Sequence, residues 1–232
     1  MTIEHKKTAV VAGVGAGLGS ALCRKLLTEG YQVVGLSRSN NIDQNLGENY
    51  FPITCDLTDS TSVDHAISIV EKQIGDISVY IHNAAYLVHK PFLETTEEEF
   101  TDIWKLTCLG AVHGIKRVIP NMLSKKSGTI LVSGATASIR AGSEFAAFSS
   151  AKFALRGLAQ SLAREYGPHG IHVAHIILDG LIWGPQAEHK FGKEKNICMN
   201  PDAIADSYFH LIQQHHSSWT QELDLRPNIE RF

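Results

Sequence analysis

The sequence is most constrained by a glycine-rich turn close to its amino terminus. A short β-rich run, Thr8–Ala12, leads into Gly13–Gly19, which carries four glycines, and Ser20–Glu29 then continues in a helical pattern. A glycine turn between a strand and a helix lets the backbone bend sharply and aims free N–H groups and the positive end of the helix dipole at one point. Such a point attracts phosphate groups. The turn therefore predicts a phosphate-binding site, with glycines that serve only tight helix–strand packing as the alternative.

β-rich runs and helical patterns alternate along the whole chain. Runs of this composition are typical of strands buried on both faces. Strands that alternate with helices predict an α/β fold, a parallel sheet with helices on both faces. Because no linker, low-complexity run or repeat divides the sequence, we expect one domain over residues 1–232. The predicted strands are Thr8–Ala12, Gln32–Ser37, Phe51–Cys55, Ile77–His82, Thr129–Ser133 and His172–Leu178, with a last strand inside Trp219–Pro227.

Periodicity and capping signals predict the helices between these strands. Thr95 and Thr96 each precede a glutamate by three residues, which is the capping-box pattern. Asn200-Pro201 supplies an N-cap followed by a proline suited to the first helical position. The predicted helices are Ser20–Glu29, Val63–Ile74, a helix from Thr96 towards Met122, Phe148–Tyr166 ending at Gly167-Pro168, and a helix opening at Asn200.

Composition and charge exclude several classes of partner. The chain has 21 Lys and Arg against 24 Asp and Glu, a net charge of -3, and no basic block longer than a pair. We therefore expect neither a nucleic-acid partner nor a membrane partner. The apolar stretch after Lys7 is broken by glycines too early for a membrane span. Four cysteines without a CxxC pair predict reduced, structural thiols and a cytoplasmic location. They are Cys23, Cys55, Cys108 and Cys198.

The end of the second predicted strand indicates which dinucleotide the turn would bind. The GxxxGxG spacing of the turn differs from the GxGxxG fingerprint, but its place after the first strand still favours a dinucleotide. An NAD site is expected to place a carboxylate after the second strand, whereas Ser37 and Arg38 follow here and no acid comes before Asp43. A guanidinium suits a 2′-phosphate. We predict NADP(H), with NAD(H) as the second choice and Arg38 as an ordinary surface residue as the alternative.

Motifs in chain order make the sequence resemble the short-chain dehydrogenase/reductase family over nearly its whole length. The resemblance implies a doubly wound Rossmann-type fold with three layers, a nicotinamide cofactor, and hydride transfer between that cofactor and a small carbonyl or alcohol substrate. The motifs are the glycine turn with Ala12 and Leu18 for the family's Thr and Ile, Asp56-Leu57 after the third strand, His82-Asn83-Ala84-Ala85 after the fourth, and Gly180 preceded by Asp179.

The resemblance also implies which residues contact the cofactor. They come from the glycine turn, from the carboxyl ends of the strands and from the helix that carries a lysine. The predicted contacts are Gly13, Ala16, Gly17, Leu18, Gly19, Ser37, Arg38, Asp56, Leu57, Asn83, Ala84, Ala85, Lys152, Gly180 and Ile182.

The family's Asn-Ser-Tyr-Lys tetrad is matched here only at its lysine. In the YxxxK element Lys152 is retained and Phe148 stands at the tyrosine position. Counting back thirteen residues places Ala135 at the serine position, and Thr107 stands for the asparagine. A tyrosine seven residues before the lysine is absent too, because that position is Phe145. Phenylalanine has no proton to donate and alanine forms no hydrogen bond to a developing alkoxide, so the usual relay is missing.

A substitute proton donor would have to come from elsewhere in the chain. Tyr86, just after the Asn83 loop, is the first candidate, although an aromatic residue there also suits a pocket wall. We expect Ser149 and Ser150 to point to other helix faces than Phe148. The other candidates are His82, His89, Ser133, Thr136 and Ser138.

The histidines at 169, 172 and 175 invite a metal site, which we reject. His169 lies in a turn, and residues 172 and 175 are expected on opposite faces of a strand. The segment Ile182–Lys195 is expected to cover the pocket, but it offers no specific recognition group.

Two functions from different classes remain. The first is an atypical NADP-dependent oxidoreductase that takes its proton from Tyr86, a histidine or water. The second is an NADP-binding protein with little or no turnover, acting as a sensor or as an interaction module. The resemblance implies a homodimer or homotetramer in either case, formed through the helices over Glu97–Met122 and Phe148–Tyr166.

Overall fold

A computed structural model describes residues 6–39, 46–185, 187–188 and 194–229. In this part of the chain the strands form one seven-stranded sheet, in the order β3-β2-β1-β4-β5-β6-β7, and all neighbouring pairs are parallel. The strands are β1 (Thr8–Ala12), β2 (Gln32–Ser37), β3 (Tyr50–Thr54), β4 (Ile77–His82), β5 (Gly128–Ser133), β6 (Ile171–Leu178) and β7 (Glu222–Leu225).

Helices cover both faces of this sheet. One core lies between the sheet and the side chains of α2, α4 and α5, and the other lies between the sheet and those of α1 and α6. The helices are α1 (Leu18–Thr28), α2 (Ser60–Gln73), α3 (Glu97–Trp104), α4 (Gly110–Lys125), α5 (Ala146–Tyr166) and α6 (Pro201–Ile212). The predicted three-layer α/β fold is confirmed. None of the described helices combines the length and apolar character that a bilayer crossing requires.

The order of the strands fixes where a ligand can enter. After β3 the chain crosses back to place β4 on the other side of β1, so Ala12 pairs with Leu36 on one side and with His82 on the other. In an open parallel sheet, ligands bind beyond the carboxyl ends of the strands where the winding reverses. The loops after β1 and β4 therefore frame the expected site.

Most predicted boundaries agree with the structure to within two residues, but β3 differs in character. The run Phe51–Cys55 was expected to be buried on both faces. The strand instead covers Tyr50–Thr54 at the edge of the sheet, and its residues alternate between the core and solvent. An edge strand has a neighbour on one side only, which leaves one face less covered.

The helix predicted from Thr96 towards Met122 is divided. Thr96 forms the predicted capping box with Glu99 at the start of α3. A π-helical turn, Lys105–Leu109, then separates α3 from α4. Such turns leave backbone groups without the ordinary i→i−4 pairing and are frequent at functional sites. Thr107 lies in this turn.

Two glycines give a matched test of the packing between α4 and the sheet. A Cβ at Gly114 would lie 1.8 Å from the hydroxyl oxygen of the fully buried Tyr80, whereas a Cβ at Gly157 on α5 would meet nothing within 4 Å. We expect Gly114→Ala to lower the free energy of unfolding by about 1–3 kcal/mol through overpacking. Gly157→Ala should raise it by about 1 kcal/mol through helix propensity. Urea denaturation measures both, and a Gly114→Ala protein as stable as the native one would contradict this packing.

Candidate functional site

Two adjoining cavities open at the carboxyl edge of the sheet. The glycine-turn cavity has a volume of about 600 Å³ and the Lys152 cavity about 550 Å³, and they share Asn83, Ala85 and Ile182 in their walls. Of the predicted cofactor contacts, the glycine-turn cavity is lined by Gly13, Ala16, Gly17, Leu18, Gly19, Ser37, Arg38, Leu57, Asn83, Ala84, Ala85 and Ile182. The Lys152 cavity is lined by Lys152 and Gly180 from the same prediction, and by Tyr86, Ala135 and Phe148.

The glycine turn brings its backbone close to the cavity at positions where a side chain would not fit. Gly13 has φ +97°, and a Cβ on it would lie 2.5 Å from the backbone of Ala84. A Cβ at Gly19 would lie 2.7 Å from the carbonyl oxygen of Gly13, which explains the glycine requirement at both positions. A Cβ at Gly15 would meet nothing within 4 Å, so the outer side of the turn is open. The turn at the start of α1 therefore fits a diphosphate.

The segment after β6 forms the opposite wall of this cavity. A Cβ at Gly17 would lie 3.7 Å from the carbonyl oxygen of Trp183, and one at Gly184 would lie 3.4 Å from the Cα of Gly17. Trp183 N donates to Met199 O at 2.9 Å, which holds the segment in place. Of the predicted covering segment Ile182–Lys195, residues 186 and 189–193 lie outside the described residues.

Ser37 and Arg38, for which the sequence predicts contact with a 2′-phosphate, lie at the rim of the glycine-turn cavity. Arg38 is exposed there, and the hydroxyl of Ser37 donates to Ser39 O at 2.8 Å. Asp56 lies outside both cavity walls, because its carboxylate turns to Thr58. Hydrogen bonds from Thr58 lower the pKa of Asp56, and the charge of Arg38 adds to this effect. Asp43 lies outside the described residues.

A chain of hydrogen bonds joins the two cavities. The amide nitrogen of the Asn83 side chain donates to Gly13 O at 2.9 Å, and its oxygen accepts from Ser133 Oγ at 2.9 Å. Since Ser133 has one proton, the Tyr208 hydroxyl, 2.8 Å away, donates to Ser133. The carboxyl ends of β4 and β5 thus hold the glycine turn through side chains.

Lys152 extends from α5 to the carboxyl end of β5. Its Nζ donates to Ser133 O at 2.7 Å and lies 5.6 Å from the centre of the Phe148 ring. Burial lowers the pKa of Lys152 to about 8. The ammonium group is therefore held in the wall of the Lys152 cavity, with the Ser133 carbonyl and the face of the Phe148 ring beside it.

One residue that the sequence analysis set aside lies in this cavity. Ser149 was expected on another face of the helix than Phe148, but it is buried and lines the Lys152 cavity beside Phe148. This expectation was wrong, because residues 145, 148, 149 and 152 recur at the three- and four-residue spacing of one helix face. Its hydroxyl has no hydrogen-bond partner among the described residues. Ser150 does turn away, and its hydroxyl donates to Ala147 O.

Thr107 lies outside both cavity walls. It is fully buried in the π-helical turn, where its carbonyl oxygen accepts from His82 Nε2 at 3.1 Å. The Thr107 hydroxyl has no hydrogen-bond partner within the described part of the chain. His82, one of the candidate proton donors, is therefore fully buried, and its Nε2 is hydrogen-bonded to a backbone carbonyl.

The remaining candidate donors differ in access. Tyr86 is 36% exposed at the mouth of the Lys152 cavity, and burial raises its pKa. His89 pairs with Glu144 at 2.8 Å. Thr136 donates to Asp179, and Ser138 accepts from Ala135 N at 3.1 Å. Tyr86 is thus the tyrosine that lines the Lys152 cavity among the described residues.

The histidines near β6 do not converge. His172 stacks on Trp219, whereas His175 Nε2 lies 3.2 Å from Ser138 Oγ. Across the described ranges, no three His, Cys, Asp or Glu side chains gather as metal ligands.

Two buried histidines predict a loss of stability in mild acid. Burial, together with the charge of Lys152, lowers the pKa of His82 to about 3. Burial lowers the pKa of His175 to about 4, against the opposing charge of Glu222, which itself pairs with Arg156. Below pH about 6.5 these histidines bind protons in the unfolded chain but stay neutral in the native chain. The free energy of unfolding therefore falls as the pH drops from about 6.5 towards 4, by ~1.4 kcal/mol per pH unit for each histidine.

Urea denaturation at several pH values measures this slope. We expect His175→Gln to reduce it, whereas His65→Gln, at an exposed position on α2, should leave it unchanged. Equal slopes in the native and His175→Gln proteins would show that His175 is not the group responsible.

Comparison with known proteins agrees with the fold. A short-chain dehydrogenase from Rhodopseudomonas palustris superimposes with a TM-score of 0.83 at 33% identity, over 95% of this chain and 98% of that one. An alcohol dehydrogenase from Thermococcus sibiricus, complexed with 5-hydroxy-NADP, has a TM-score of 0.84 at 25% identity, over 97% and 98%. The 3-oxoacyl-[acyl-carrier-protein] reductase MabA of Mycobacterium avium is 28% identical over 76% of this chain and 67% of its own length. Residues 7–183 match the family described as short chain dehydrogenase, and the chain belongs to that family.

Proposed function

We propose that this protein is an NADP(H)-dependent oxidoreductase that acts on a small carbonyl or alcohol compound in the Lys152 cavity. The observation that carries the proposal is the pair of joined cavities. The glycine turn lines one of them, and a buried lysine lines the other. When bound, the nicotinamide would supply or accept the hydride. The chain's own residues would position it and exclude water.

Several of the predicted cofactor residues have a physical task in this proposal. The backbone of the glycine turn would receive the diphosphate, and Asn83 holds that turn through Gly13 O. Lys152, fixed by Ser133 O, would contact the nicotinamide ribose from the wall of the Lys152 cavity. Arg38 and Ser37 at the rim would receive a 2′-phosphate. The Thermococcus sibiricus relative was solved with an NADP derivative, which supports the choice of NADP(H) over NAD(H).

Proton transfer is the unusual part of the proposed reaction. Phe148 and Ala135 line the cavity where the family resemblance implies a tyrosine and a serine. A general acid typically contributes about 10²–10⁴ in rate, or about 3–5 kcal/mol, so its loss slows the reaction but leaves hydride transfer possible. Tyr86 would replace it, because it lines the cavity and a phenol is protonated at neutral pH and has a proton to donate. Water at the open mouth is the other source.

A catalytically silent NADP-binding protein, acting as a sensor or an interaction module, is the second candidate. It is favoured by the phenyl ring of Phe148, which lies beside Lys152 at the position where proton transfer to a substrate would need a phenol. A screen of carbonyl compounds and activated alkenes, following NADPH oxidation, separates the two candidates. Turnover that Lys152→Ala abolishes supports the enzyme, and cofactor binding without any turnover supports the silent protein.

We further propose a homodimer or homotetramer formed through the faces of α3 and α5. Trp104 and Phe153 are exposed there by 38% and 43%, which leaves apolar surface for a second copy. Light scattering of the purified protein should give a mass of at least twice 25.4 kDa, and a monomer alone would contradict this.

We also propose a cytoplasmic location, because the cysteines of the described residues are unpaired thiols. Cell fractionation tests this location.

Arg38→Ala tests the cofactor preference. We expect the native protein to bind NADP(H) more tightly than NAD(H), because the guanidinium receives the 2′-phosphate. The substitution should weaken NADP(H) binding about tenfold to hundredfold and leave NAD(H) binding nearly unchanged. Arg164→Ala, at an arginine that lines neither cavity, is the control. Calorimetry reports both affinities, and equal affinities in the native protein would refute the preference.

A double substitution tests whether the Lys152 cavity keeps the geometry for proton transfer. Phe148→Tyr with Ala135→Ser would place a phenol and a hydroxyl beside Lys152. We expect carbonyl reduction to appear or to rise about 10²-fold or more. Phe92→Tyr, at an exposed position outside both cavity walls and outside α3 and α5, is the control and should change nothing. A double variant that folds and binds NADPH yet stays inert would show that the cavity has diverged in shape.

A further inference from the structure

We propose that Arg140 selects substrates that carry a carboxylate, so that the natural substrate is an oxo acid or hydroxy acid with an apolar body. This inference rests on the proposed function, because it names the substrate class of the same cavity. Neither the motifs of the sequence nor the family resemblance assigns any task to Arg140.

The charges that line the Lys152 cavity have one sign. Among the described residues of its wall, the charged side chains are Lys152 and Arg140, and neither an aspartate nor a glutamate lines it. Most of the remaining wall is apolar or backbone, with Phe145, Phe148 and Leu87 among it. A cavity with two cations and no carboxylate in its described wall favours an anion.

Of the two cations, Arg140 is the one that a substrate can reach. Lys152 is 3% exposed and donates to Ser133 O. The side chain of Arg140 is 45% exposed. Its Nη2 lies 3.2 Å from one oxygen of Asp179 and 3.4 Å from the other, while its Nε and Nη1 have no hydrogen-bond partner in the described part of the chain. The guanidinium thus keeps donors for a second carboxylate.

Asp179 holds Arg140 in position from behind the wall. The Asp179 carboxylate is 1% exposed and also accepts from Thr136 Oγ1. Arg226 Nη1 contacts it at 3.3 Å. Asp179 N donates to Leu225 O, so the end of β7 fixes the aspartate where the family resemblance implies a proline. Arg226 also pairs with Asp224, so Asp179 offsets part of the charge of Arg140. What the oriented guanidinium keeps for a substrate carboxylate is its Nε and Nη1 donors.

The nearest acidic side chain in sequence does not compete for Arg140. Glu144 lies four residues further on, outside the cavity wall, and its carboxylate pairs with His89 at 2.8 Å. A substrate carboxylate at Arg140 would leave the rest of the molecule against Phe145 and Phe148, between Arg140 and Lys152.

Binding of oxo acids to the NADP⁺ complex tests this inference without requiring turnover. An oxo acid and oxidised cofactor do not react, so calorimetry measures a stable ternary complex. The probes are pyruvate, acetoacetate and levulinate, each compared with its methyl ester. We expect at least one acid to bind about tenfold to hundredfold more tightly than its ester. Arg140→Leu should remove this preference, Arg140→Lys should retain part of it, and Arg164→Leu should leave it intact.

The outcomes separate this inference from the proposed function. Esters that bind as tightly as the acids, a preference that survives Arg140→Leu, or a native complex that binds none of the acids would each overturn the role of Arg140. A protein that fails to bind NADP⁺ would overturn the proposed function instead, and the same titrations on the protein alone would still test Arg140. Thermal melting of each variant verifies that it is folded.

Discussion

The side-chain amide of Asn83 is the interaction on which both cavities depend. It donates to Gly13 O and accepts from Ser133 Oγ, while Ser133 O accepts from Lys152. The reversal of strand order between β1 and β4 brings these groups to one edge of the sheet. A shift of any member would therefore move the glycine turn and the lysine together. Under the proposed function, this coupling would keep a cofactor in one cavity aligned with a substrate in the other.

This arrangement separates cofactor holding from proton transfer. The glycine turn is fixed by the Asn83 side chain and Lys152 by the carbonyl of Ser133, and neither contact needs the hydroxyls that Phe148 and Ala135 lack. The positioning of a hydride donor against a carbonyl contributes several kcal/mol through proximity alone. A protein with this scaffold can therefore keep redox chemistry while it takes its proton from another wall of the cavity, or can lose the chemistry and still bind the nucleotide.

Local signals in the sequence were sufficient for the fold and for the glycine turn. The strand at Thr8–Ala12 and the capping box at Thr96 depend on neighbouring residues, and both lie where predicted. Features that depend on distant contacts were not predictable. Asp179 meets Arg140 and Arg226 only because β7 pairs beside β6. Thr107 is turned inward by a π-helical turn without a sequence signature, whereas Ser149 could have been found from its three-residue spacing to Lys152.

Titration of the native protein with NADPH, followed by the fluorescence of the reduced nicotinamide, tests the central claim most directly. We predict saturable binding in the micromolar range, with a nicotinamide emission changed by the apolar wall of the Lys152 cavity. Gly13→Val should lose this binding, because a side chain there would collide with the backbone of Ala84. An emission spectrum that stays that of free NADPH at millimolar concentrations, in a protein that is folded, would contradict it.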